Sequence, residues 1–475
     1  MDLSLRLLVI AVLGTCSPAE RPTTGVHPPS GDPSGPDRIR VAAADAVAGT
    51  AGSPEPASRP GSAARAAQDT PTAGSIGGEL VLDPEGVTLP GGRRIATAHP
   101  IARALEWAAP GAQLTLQAGE YGSVGIGHAS TRAWNSRAAG GTALKPVRVV
   151  GRGRARIVAG DQPDALTIHQ QVPCAHVHFE DLEIHAGYRA GVLFSDLGAE
   201  DAHTGFHFYD CTIDGDYDHV AAEGTPSKWG VLGHALDDFV FAGRSGRAKV
   251  HHTCHEHAFY LQNPRGDITI EKVDGFELGR TFVQIVARER SGPIGRGIVR
   301  IVDNHVRDAG IAKRDGYKGG SAFTFAGRLT GCTILLEGNR YRAGFRPELL
   351  RLRNKNNPYG TGALVAWDEG AGALNGTLVL RDNDFEMAPG TGDRPLVSIG
   401  ATRRVVIEAN NRFVSGGTWA ALYLDPVERD GSLKGPANEL VHLERGVAID
   451  GDLLIRGERP TEAELEALAV PPHER

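Results

Sequence analysis

One pattern recurs along most of this chain: an apolar alternating strand, then Asn or Asp, one more apolar residue and a glycine turn. Seven stretches carry the pattern: HVHFEDLEIHAG (176–187), FHFYDCTIDGD (206–216), ITIEKVDGFELG (268–279), VRIVDNHVRDAG (299–310), TILLEGNRYRAG (333–344), LVLRDNDFEMAPG (378–390) and VVIEANNRFVSGG (405–417). Most of them repeat after about 28 to 35 residues, a period typical of stacked supersecondary units. Such a chain buries its apolar faces by stacking each unit on the last.

The polar residue after the strand occupies an equivalent place in successive units, namely Asn304, Asn339, Asn383 and Asn411, with Asp274 aligned to them in an earlier unit. Second short strands lie between the units: GVLF (191–194), AFYL (258–261), FVQI (282–285), AFTF (322–325), LLRL (349–352), LVSI (396–399) and ALYL (421–424). Hairpin dipeptides are too few for an antiparallel sandwich. The pattern therefore predicts an all-β parallel β-helix whose Asn side chains hydrogen-bond from coil to coil.

Two short helices are predicted at the ends of the repetitive region. HPIARALEWAAPG (99–111) predicts a helix over 101–109 that ends at Pro110-Gly111. TEAELEALAV (461–470) contains a capping box, Thr461 with Glu464, and predicts a short C-terminal helix that covers the last coil.

The helix, the following PGAQLTLQAGEY (110–121) and the Asn-punctuated coils resemble the right-handed parallel β-helix superfamily of pectin and alginate lyases. The resemblance covers about 78–451 and implies a right-handed solenoid with an N-terminal capping helix. That superfamily also includes hydrolases, epimerases, phage tailspikes and adhesins, so the fold implies no single activity. Asp237-Asp238 lacks the GHG and RIK segments of the hydrolases, and the RxPxxR and DPHD elements are absent too.

The N-terminal residues 1–19 look like a signal peptide, because Arg6 precedes a short apolar run and small residues follow. Leu13-Gly14-Thr15-Cys16 resembles a bacterial lipobox, although Thr15 departs from that pattern, and lipid anchoring at Cys16 stays an alternative. We therefore expect a secreted, periplasmic or cell-surface protein without a transmembrane span.

The rest of the chain divides into segments that differ in amino-acid composition. Residues 20–77 are rich in Pro, Gly and Ala with few large apolar residues, which predicts a disordered linker. The β-helix is expected over 78–456, followed by a tail with its short helix over 457–475. Four cysteines without CxxC spacing are interpreted as buried thiols: Cys174, Cys211, Cys254 and Cys332.

The numbers of basic and acidic residues bear on which polymers the protein can bind. The formal net charge is −7, from 50 basic and 57 acidic residues, so no global positive field suggests nucleic acid as a partner. We expect a monomer that binds an anionic polysaccharide, and any basic binding surface on it must be local.

Aligning the second strands AFYL, FVQI, FTF and LLRL predicts outward-facing columns on successive coils. The columns read Tyr260, Gln284, Thr324, Arg351, then Gln262, Val286, Ala326, Arg353, and then Pro264, Arg288, Arg328, Lys355. Glu256 would pair with Arg280 across coils. The resulting basic face is predicted to bind the polymer through Glu256, Arg265, Arg280, Gln284, Arg288 and Arg328. A solvated charged face is the alternative.

A lyase that acts on a uronic-acid polymer needs a group that neutralises the carboxylate, a base and an acid. On this face Arg351 or Arg353 would neutralise the carboxylate, and Lys355 would be the base. Tyr260 would be the acid, and His257 would serve as acid or base because an imidazole suits both roles.

Two further clusters suggest metal ions. In VHHTCHEHAF (250–259) the HExxH spacing is missing and His251 and His252 would face opposite ways in a strand, so zinc is not favoured. Asp214, Asp216 and Asp218 alternate in a turn and would offer oxygen ligands to calcium. The resemblance implies calcium as well, since many of these lyases use it to neutralise the uronate, and an acidic turn is the alternative.

The sequence therefore predicts an extracellular β-helix protein that cleaves a uronic-acid polysaccharide by β-elimination. A non-catalytic glycan-binding or structural module is the first alternative. A glycoside hydrolase that uses Asp368 and Glu369 in AWDEG is the second.

Overall fold

The computed structural model describes residues 71–470 except 131, 138, 198–200, 219–227, 288–294, 312–319, 347–361, 369–371, 391–394, 417–419 and 429. Within these ranges the chain is mostly β-strand, with two helices, α1 (Pro100–Trp107) and α2 (Glu462–Ala469). Within the described residues, no helix is long and apolar enough to cross a membrane.

The strands are short and follow one another closely along the chain. The N-terminal part contains β1 (Glu79–Asp83), β2 (Gly86–Thr88), β3 (Arg94–Ala96), β4 (Gln113–Leu116), β5 (Gly119–Tyr121), β6 (Val124–Ile126), β7 (Asn135–Ser136), β8 (Ala139–Gly140), β9 (Val147–Gly151), β10 (Ala155–Val158), β11 (Asp164–Ile168), β12 (Cys174–Ala175), β13 (Val177–Glu180) and β14 (Glu183–His185).

The central part contains β15 (Ala190–Phe194), β16 (His203–Thr204), β17 (Phe206–Tyr209), β18 (Thr212–Asp214), β19 (Trp229–His234), β20 (Leu236–Asp237), β21 (Phe239–Ala242), β22 (Ala248–Thr253), β23 (Phe259–Gln262), β24 (Ile268–Glu271), β25 (Val273–Leu278), β26 (Val283–Ala287), β27 (Arg296–Val302) and β28 (His305–Ala309).

The C-terminal part contains β29 (Phe323–Gly327), β30 (Gly331–Glu337), β31 (Arg340–Ala343), β32 (Leu364–Trp367), β33 (Asn375–Arg381), β34 (Asp384–Met387), β35 (Val397–Ile399), β36 (Thr402–Ile407), β37 (Arg412–Val414), β38 (Leu422–Leu424), β39 (Leu440–Leu443), β40 (Ala448–Asp450) and β41 (Leu453–Ile455).

Three long sheets run the length of the solenoid, and each coil gives one strand to each sheet. The first sheet has the order β3-β2-β1-β4-β9-β13-β17-β21-β24-β27-β30-β33-β36-β39, the second β5-β10-β14-β18-β22-β25-β28-β31-β34-β37-β40, and the third β7-β6-β11-β15-β19-β23-β26-β29-β32-β35-β38-β41. Neighbouring coils pair in parallel, for example β24 with β27, β25 with β28 and β26 with β29. The predicted parallel β-helix is confirmed, and parallel crossovers are right-handed in nearly all proteins.

The core lies between the sheets and consists of inward-facing apolar side chains stacked coil upon coil. In the first sheet one column runs through residues with no exposed surface: Phe179, Phe208, Phe241, Ile270, Ile301, Leu336, Leu380 and Ile407. Each side chain sits on its equivalent in the next coil, and this removes it from water on every side.

Asparagines hydrogen-bond in a continuous row at the corner between the first and second sheets, as the repeat predicts. Asn304 Nδ2 donates to Asn339 Oδ1 at 2.9 Å, Asn339 Nδ2 to Asn383 Oδ1 at 3.0 Å, and Asn383 Nδ2 to Asn411 Oδ1 at 3.0 Å. The alignment of Asp274 with this row is wrong by one residue. Asp274 lies opposite His305 on the outer face, because the place equivalent to Asn304 belongs to Val273.

Both predicted helices are present. Helix α1 buries Ile101, Leu105 and Trp107 against the N-terminal coils. Helix α2 begins with the predicted capping box, in which the Thr461 backbone N–H donates to Glu464 Oε2 at 2.7 Å. The Leu468 carbonyl lies 3.1 Å from Nδ1 of His442, which joins α2 to the last strand of the first sheet.

Candidate functional site

The predicted columns on the third sheet are confirmed for three coils and wrong for the fourth. Tyr260 lies opposite Gln284, and Gln284 lies opposite Thr324. The next residue is Val365, because β29 pairs with β32. Val365 and Trp367 therefore occupy the places predicted for Arg351 and Arg353. Four residues of the predicted basic face lie outside the described residues: Arg288, Arg351, Arg353 and Lys355.

The confirmed part of these columns is covered rather than open to solvent. Tyr260 is 9% exposed and Gln284 is 7% exposed. Tyr260, Val286 and Ala326 form a small apolar cluster against which Trp229 and Leu232 pack. Among the described residues of these columns, Tyr260 and Gln284 are thus largely removed from solvent, whereas Gln262 and Thr324 are half-buried, and the predicted role of Tyr260 as an acid stays a prediction.

The remaining residues assigned to this face lie close together but are largely buried. The Arg280 backbone N–H donates to the Glu256 carbonyl at 3.1 Å, which confirms that these residues lie on neighbouring coils. Glu256, His257 and Arg265 are at most 7% exposed, whereas Arg280 and Arg328 are half-buried. The ring of His257 stacks on Tyr260 with 4.9 Å between centroids. Their predicted substrate-binding and acid–base roles stay predictions.

The three aspartates predicted to bind calcium are not gathered around one point. Asp216 and Asp218 are exposed, and Asp214 is half-buried. Asp214 Oδ1 accepts the Asp216 backbone N–H at 2.8 Å, which closes the turn. Among the described residues, the structure instead groups Asp214 with two histidines, and the potential ligand atoms of these three residues all lie within 4.8 Å of one another.

This grouping arises on the outer face of the second sheet. Asp214 in β18 lies opposite His251 in β22. His252 adopts a left-handed backbone conformation with φ of 52°, and this interrupts the alternation of side chains. The expectation that His251 and His252 face opposite ways is therefore wrong: the two Nδ1 atoms lie 2.6 Å apart.

Carboxylates surround the two imidazoles. Asp214 Oδ1 lies 3.4 Å from His251 Nδ1 and 3.6 Å from His252 Nδ1. Glu277 Oε2 lies 3.1 Å from His252 Nε2, and Glu277 Oε1 lies 2.5 Å from the Arg346 guanidinium. Burial alone would raise the pKa of Asp214, but hydrogen bonds with both histidines outweigh it and hold that pKa below its usual value. The hydrogen bond to Asp214 raises the pKa of His252.

A stack of planar groups continues along the same face. His251 lies opposite Phe276, and Phe276 lies opposite Arg307. The His251 and Phe276 rings stack with 4.7 Å between centroids and 19° between planes. The Arg307 guanidinium lies 5.3 Å from the Phe276 centroid, within the range of a cation–π contact. Phe276 therefore holds both an imidazole and a guanidinium in place.

Three cations lie on this face, and the adjacent coil places Asp274 opposite Lys249 and Asp384 opposite Arg340. Lys249, Arg307 and Arg340 are exposed, and none makes an ion pair in the part of the chain that the structure describes. The next cations along the face are neutralised, since Arg342 lies 2.5 Å from Asp384 and Arg412 lies 2.8 Å from Asp384 and from Glu386. Cations without an ion pair among the described residues thus lie on the same sheet face as the histidine pair.

We call this surface the cationic face and define it by six residues: Asp214, Lys249, His251, Phe276, Arg307 and Arg340. Sequence reasoning placed the basic surface on the third sheet instead. The sequence carries only a partial signal for the second sheet: the third residue is Arg307 after Asn304 and Arg342 after Asn339, but Glu386 after Asn383 and Val414 after Asn411.

The carboxylates proposed for a hydrolase are only partly described. Asp368 is 5% exposed and accepts the Gly372 backbone N–H at 3.1 Å. Glu369 lies outside the described residues, so a catalytic pair with Asp368 stays a prediction.

No protein-family model matches the chain, and no curated protein matches it in sequence. An alginate lyase from Paenibacillus sp. strain FPU-7 aligns over 66% of this chain and 94% of its own, with 13% identity and a TM-score of 0.42. Pectate lyase Pel9A aligns over 72% and 76%, with 11% identity and a TM-score of 0.38. A mannuronic acid specific polysaccharide family 6 lyase from human gut microbiota aligns over 74% and 61%, with 14% identity and a TM-score of 0.37. At these sequence identities and TM-scores, the three alignments carry no information on the activity of this protein.

Proposed function

We propose that this protein binds a uronic-acid polysaccharide along the cationic face and cleaves it by β-elimination. The observation that supports the proposal is the set of exposed cations without ion pairs, Lys249, Arg307 and Arg340, on a chain whose net charge is −7. Coils repeat every ~4.8 Å, and these cations lie on three of four successive coils, within reach of a polymer that carries a carboxylate on each sugar.

The chemistry assigns different tasks to these cations. Arg307 is held against Phe276 and would bind the uronate carboxylate, which makes the proton on the neighbouring carbon more acidic. Lys249, two coils before Arg307 and two residues away from it in register, would remove that proton in its neutral amine form. The bond to the leaving oxygen then breaks and a carbon–carbon double bond forms. The leaving oxygen takes a proton from water, and the hydroxide that remains takes the proton from Lys249.

The rival proposal is a non-catalytic glycan-binding module, in which the same cations hold the polymer and no bond breaks. Both proposals need an anionic polymer, and they differ only in the product. Secretion or surface tethering goes with either, since such polymers lie outside the cell.

Ultraviolet absorbance during incubation with alginate, pectate and glycosaminoglycans tests the proposal, with and without a chelator. We expect absorbance to rise on one polymer, since each elimination creates a conjugated double bond. Arg307→Ala is expected to lower the rate by about 100-fold, because a charge-stabilising donor is lost. Arg404→Ala is the matched control: Arg404 is exposed on the first sheet, without an ion pair among the described residues, and the rate should be unchanged.

The remaining outcomes separate the alternatives. Binding that Arg307→Ala weakens, with no absorbance change on any polymer, would establish the binding module and refute the lyase. New reducing ends without absorbance would indicate a hydrolase. Binding to none of the polymers would remove the cationic face as a polysaccharide site.

A further inference from the structure

We infer that Asp214, His251 and His252 form a binding site for a divalent transition metal ion with the ligand preference of zinc. The inference rests on the geometry of these side chains, and it holds whether or not the protein cleaves a polysaccharide. The sequence spacing argues against such a site, and the left-handed His252 creates it.

The three facing atoms form a triangle of the right size. Nδ1 of His251 and Nδ1 of His252 are 2.6 Å apart, and Asp214 Oδ1 is 3.4 and 3.6 Å from them. A point about 2 Å from all three atoms lies just outside the plane of the triangle, and about 2 Å is the length of zinc bonds to His nitrogen and carboxylate oxygen. Tetrahedral ligands are about 3.3 Å apart, so the imidazoles need to separate by less than 1 Å.

The close approach of the imidazoles is compatible with an ion between them. At 2.6 Å the two ring nitrogens must share either a proton or a metal ion. Two facing lone pairs would repel each other, and so would two facing N–H groups. The side chains remain 13% exposed for His251 and 31% for His252, so an ion can enter from solvent.

The surrounding residues orient the ligands as they do in known metal sites. Nε2 of His252, on the far side of the ring, faces the Glu277 carboxylate at 3.1 Å, and Arg346 holds that carboxylate in turn. A carboxylate on the second nitrogen fixes the tautomer and raises the basicity of a metal-bound histidine. The stacked Phe276 fixes the plane of His251 in the same way.

The donor set distinguishes zinc from the calcium suggested by the aspartate spacing. Calcium takes six to eight oxygen ligands, whereas two imidazole nitrogens with one carboxylate suit zinc and its transition-metal neighbours. Three protein ligands also leave a fourth position for water or for a ligand from solution, as in zinc sites that are not purely structural.

Zinc titration by calorimetry on the full chain, after dialysis against a chelator, tests the site, with Co²⁺ absorption as a probe of tetrahedral nitrogen and oxygen ligands. We expect one ion per chain. His251→Ala and His252→Ala should each weaken binding by about 100-fold or more, and Glu277→Gln by about 10- to 100-fold, since it leaves the ligands intact but releases His252. His305→Ala is the control, because His305 lies on the same face beside Asp274 at 3.7 Å and should not affect binding.

Several results would overturn the inference. One is zinc uptake by the wild type that does not exceed that of the His251→Ala/His252→Ala double variant. Another is an equal change in zinc affinity in Glu277→Gln and in His305→Ala, which would indicate adventitious binding to surface histidines. Displacement of zinc by calcium, with dependence on Asp216, would return the site to the calcium interpretation. The isosteric Glu277→Gln keeps the test valid if a histidine variant fails to fold, and none of these readouts depends on polysaccharide cleavage.

Discussion

Single residues with left-handed backbones determine where side chains point in this solenoid. His252, with φ of 52°, places its ring beside that of His251 instead of on the opposite face. Non-glycine residues adopt this conformation rarely and at a cost of about 1 kcal/mol or more. The contacts of His252 with Asp214 and Glu277 offset that cost, so one backbone angle creates the candidate metal site.

A buried ion pair provides a second example at the scale of single residues. The Asp164 side chain is 1% exposed, and the Arg189 guanidinium meets both of its oxygens through Nε, at 2.9 Å, and Nη2. The paired geometry satisfies a carboxylate that would otherwise be buried without a counter-charge.

Arg189→Met should therefore destabilise the protein by about 3 kcal/mol, because it leaves the Asp164 carboxylate buried and uncompensated. Urea unfolding followed by circular dichroism measures the change. The double variant Asp164→Leu/Arg189→Met should recover much of the loss, since no charge stays buried. A double variant as unstable as the single one would show that packing, not charge, sets the cost.

At the scale of elements, most coils turn from the first sheet to the second with a left-handed residue. Asp181, Asp210, Lys272, Asp303 and Asp382 occupy this corner with φ of 52° or 53°. In the later coils an asparagine follows, and its side chain binds the backbone of neighbouring coils. Asn339 Nδ2 donates to the Ile301 carbonyl at 2.8 Å, for example. The corner is thus specified twice, by backbone conformation and by side-chain hydrogen bonds.

Asn339→Ala removes an interior member of this row and leaves the Asn304 backbone N–H and Nδ2 and the Ile301 carbonyl without the bonds that Asn339 makes. Each unsatisfied buried group costs about 1–3 kcal/mol, so we expect a loss of about 3 kcal/mol in unfolding free energy. Thr333→Ala, exposed on the first sheet, should cost less than about 0.5 kcal/mol. Equal losses in the two variants would show that the row does not stabilise the coils.

At the scale of the whole molecule, charge and burial are distributed unevenly along the solenoid. Exposed cations without ion pairs lie on the cationic face in the middle coils, whereas half-buried and buried histidines lie in the earlier coils. Burial lowers the pKa of His169, His178 and His203 to about 4 in each case. His203 is 1% exposed and lies 2.9 Å from the Ser195 carbonyl.

These histidines predict a loss of stability in mild acid. Their folded pKa values lie below the unfolded value of about 6.5, so the unfolded chain binds more protons between pH 4 and 6.5. Stability is therefore full above about pH 6.5 and falls as the pH approaches 4, by at most about 1.4 kcal/mol per pH unit for each histidine.

Urea midpoints measured from pH 7.5 to 4.5 test this dependence. His203→Gln should flatten the decline, because it removes one titrating group while keeping a donor for Ser195. Asn339→Ala is the comparison, since it should lower the whole curve without changing its slope. If the slope of stability against pH is unchanged in His203→Gln, buried His203 does not cause the loss of stability in acid.

The sequence by itself determined the coil path, the asparagine row and both helices. These features depend on local signals that repeat: a two-residue alternation, a polar residue at each corner and a capping box. Stacking makes such signals reinforce one another, because an apolar face in one coil is buried only if the next coil repeats it. Asn304, Asn339, Asn383 and Asn411 could therefore be aligned by the local pattern around each of them.

Only the tertiary structure decided which face carries the candidate site. In the third sheet β29 pairs with β32, which begins at Leu364, and the apolar pattern at 349–352 did not predict this pairing. The burial of Tyr260 depends on packing with Trp229 and Leu232, which lie outside its own strand. The meeting of Asp214 with His251 and His252 needs one left-handed residue and the register of two coils. A prediction from side-chain periodicity assumes that strands are unbroken and that their outer faces are exposed. Long-range packing determines whether either assumption holds.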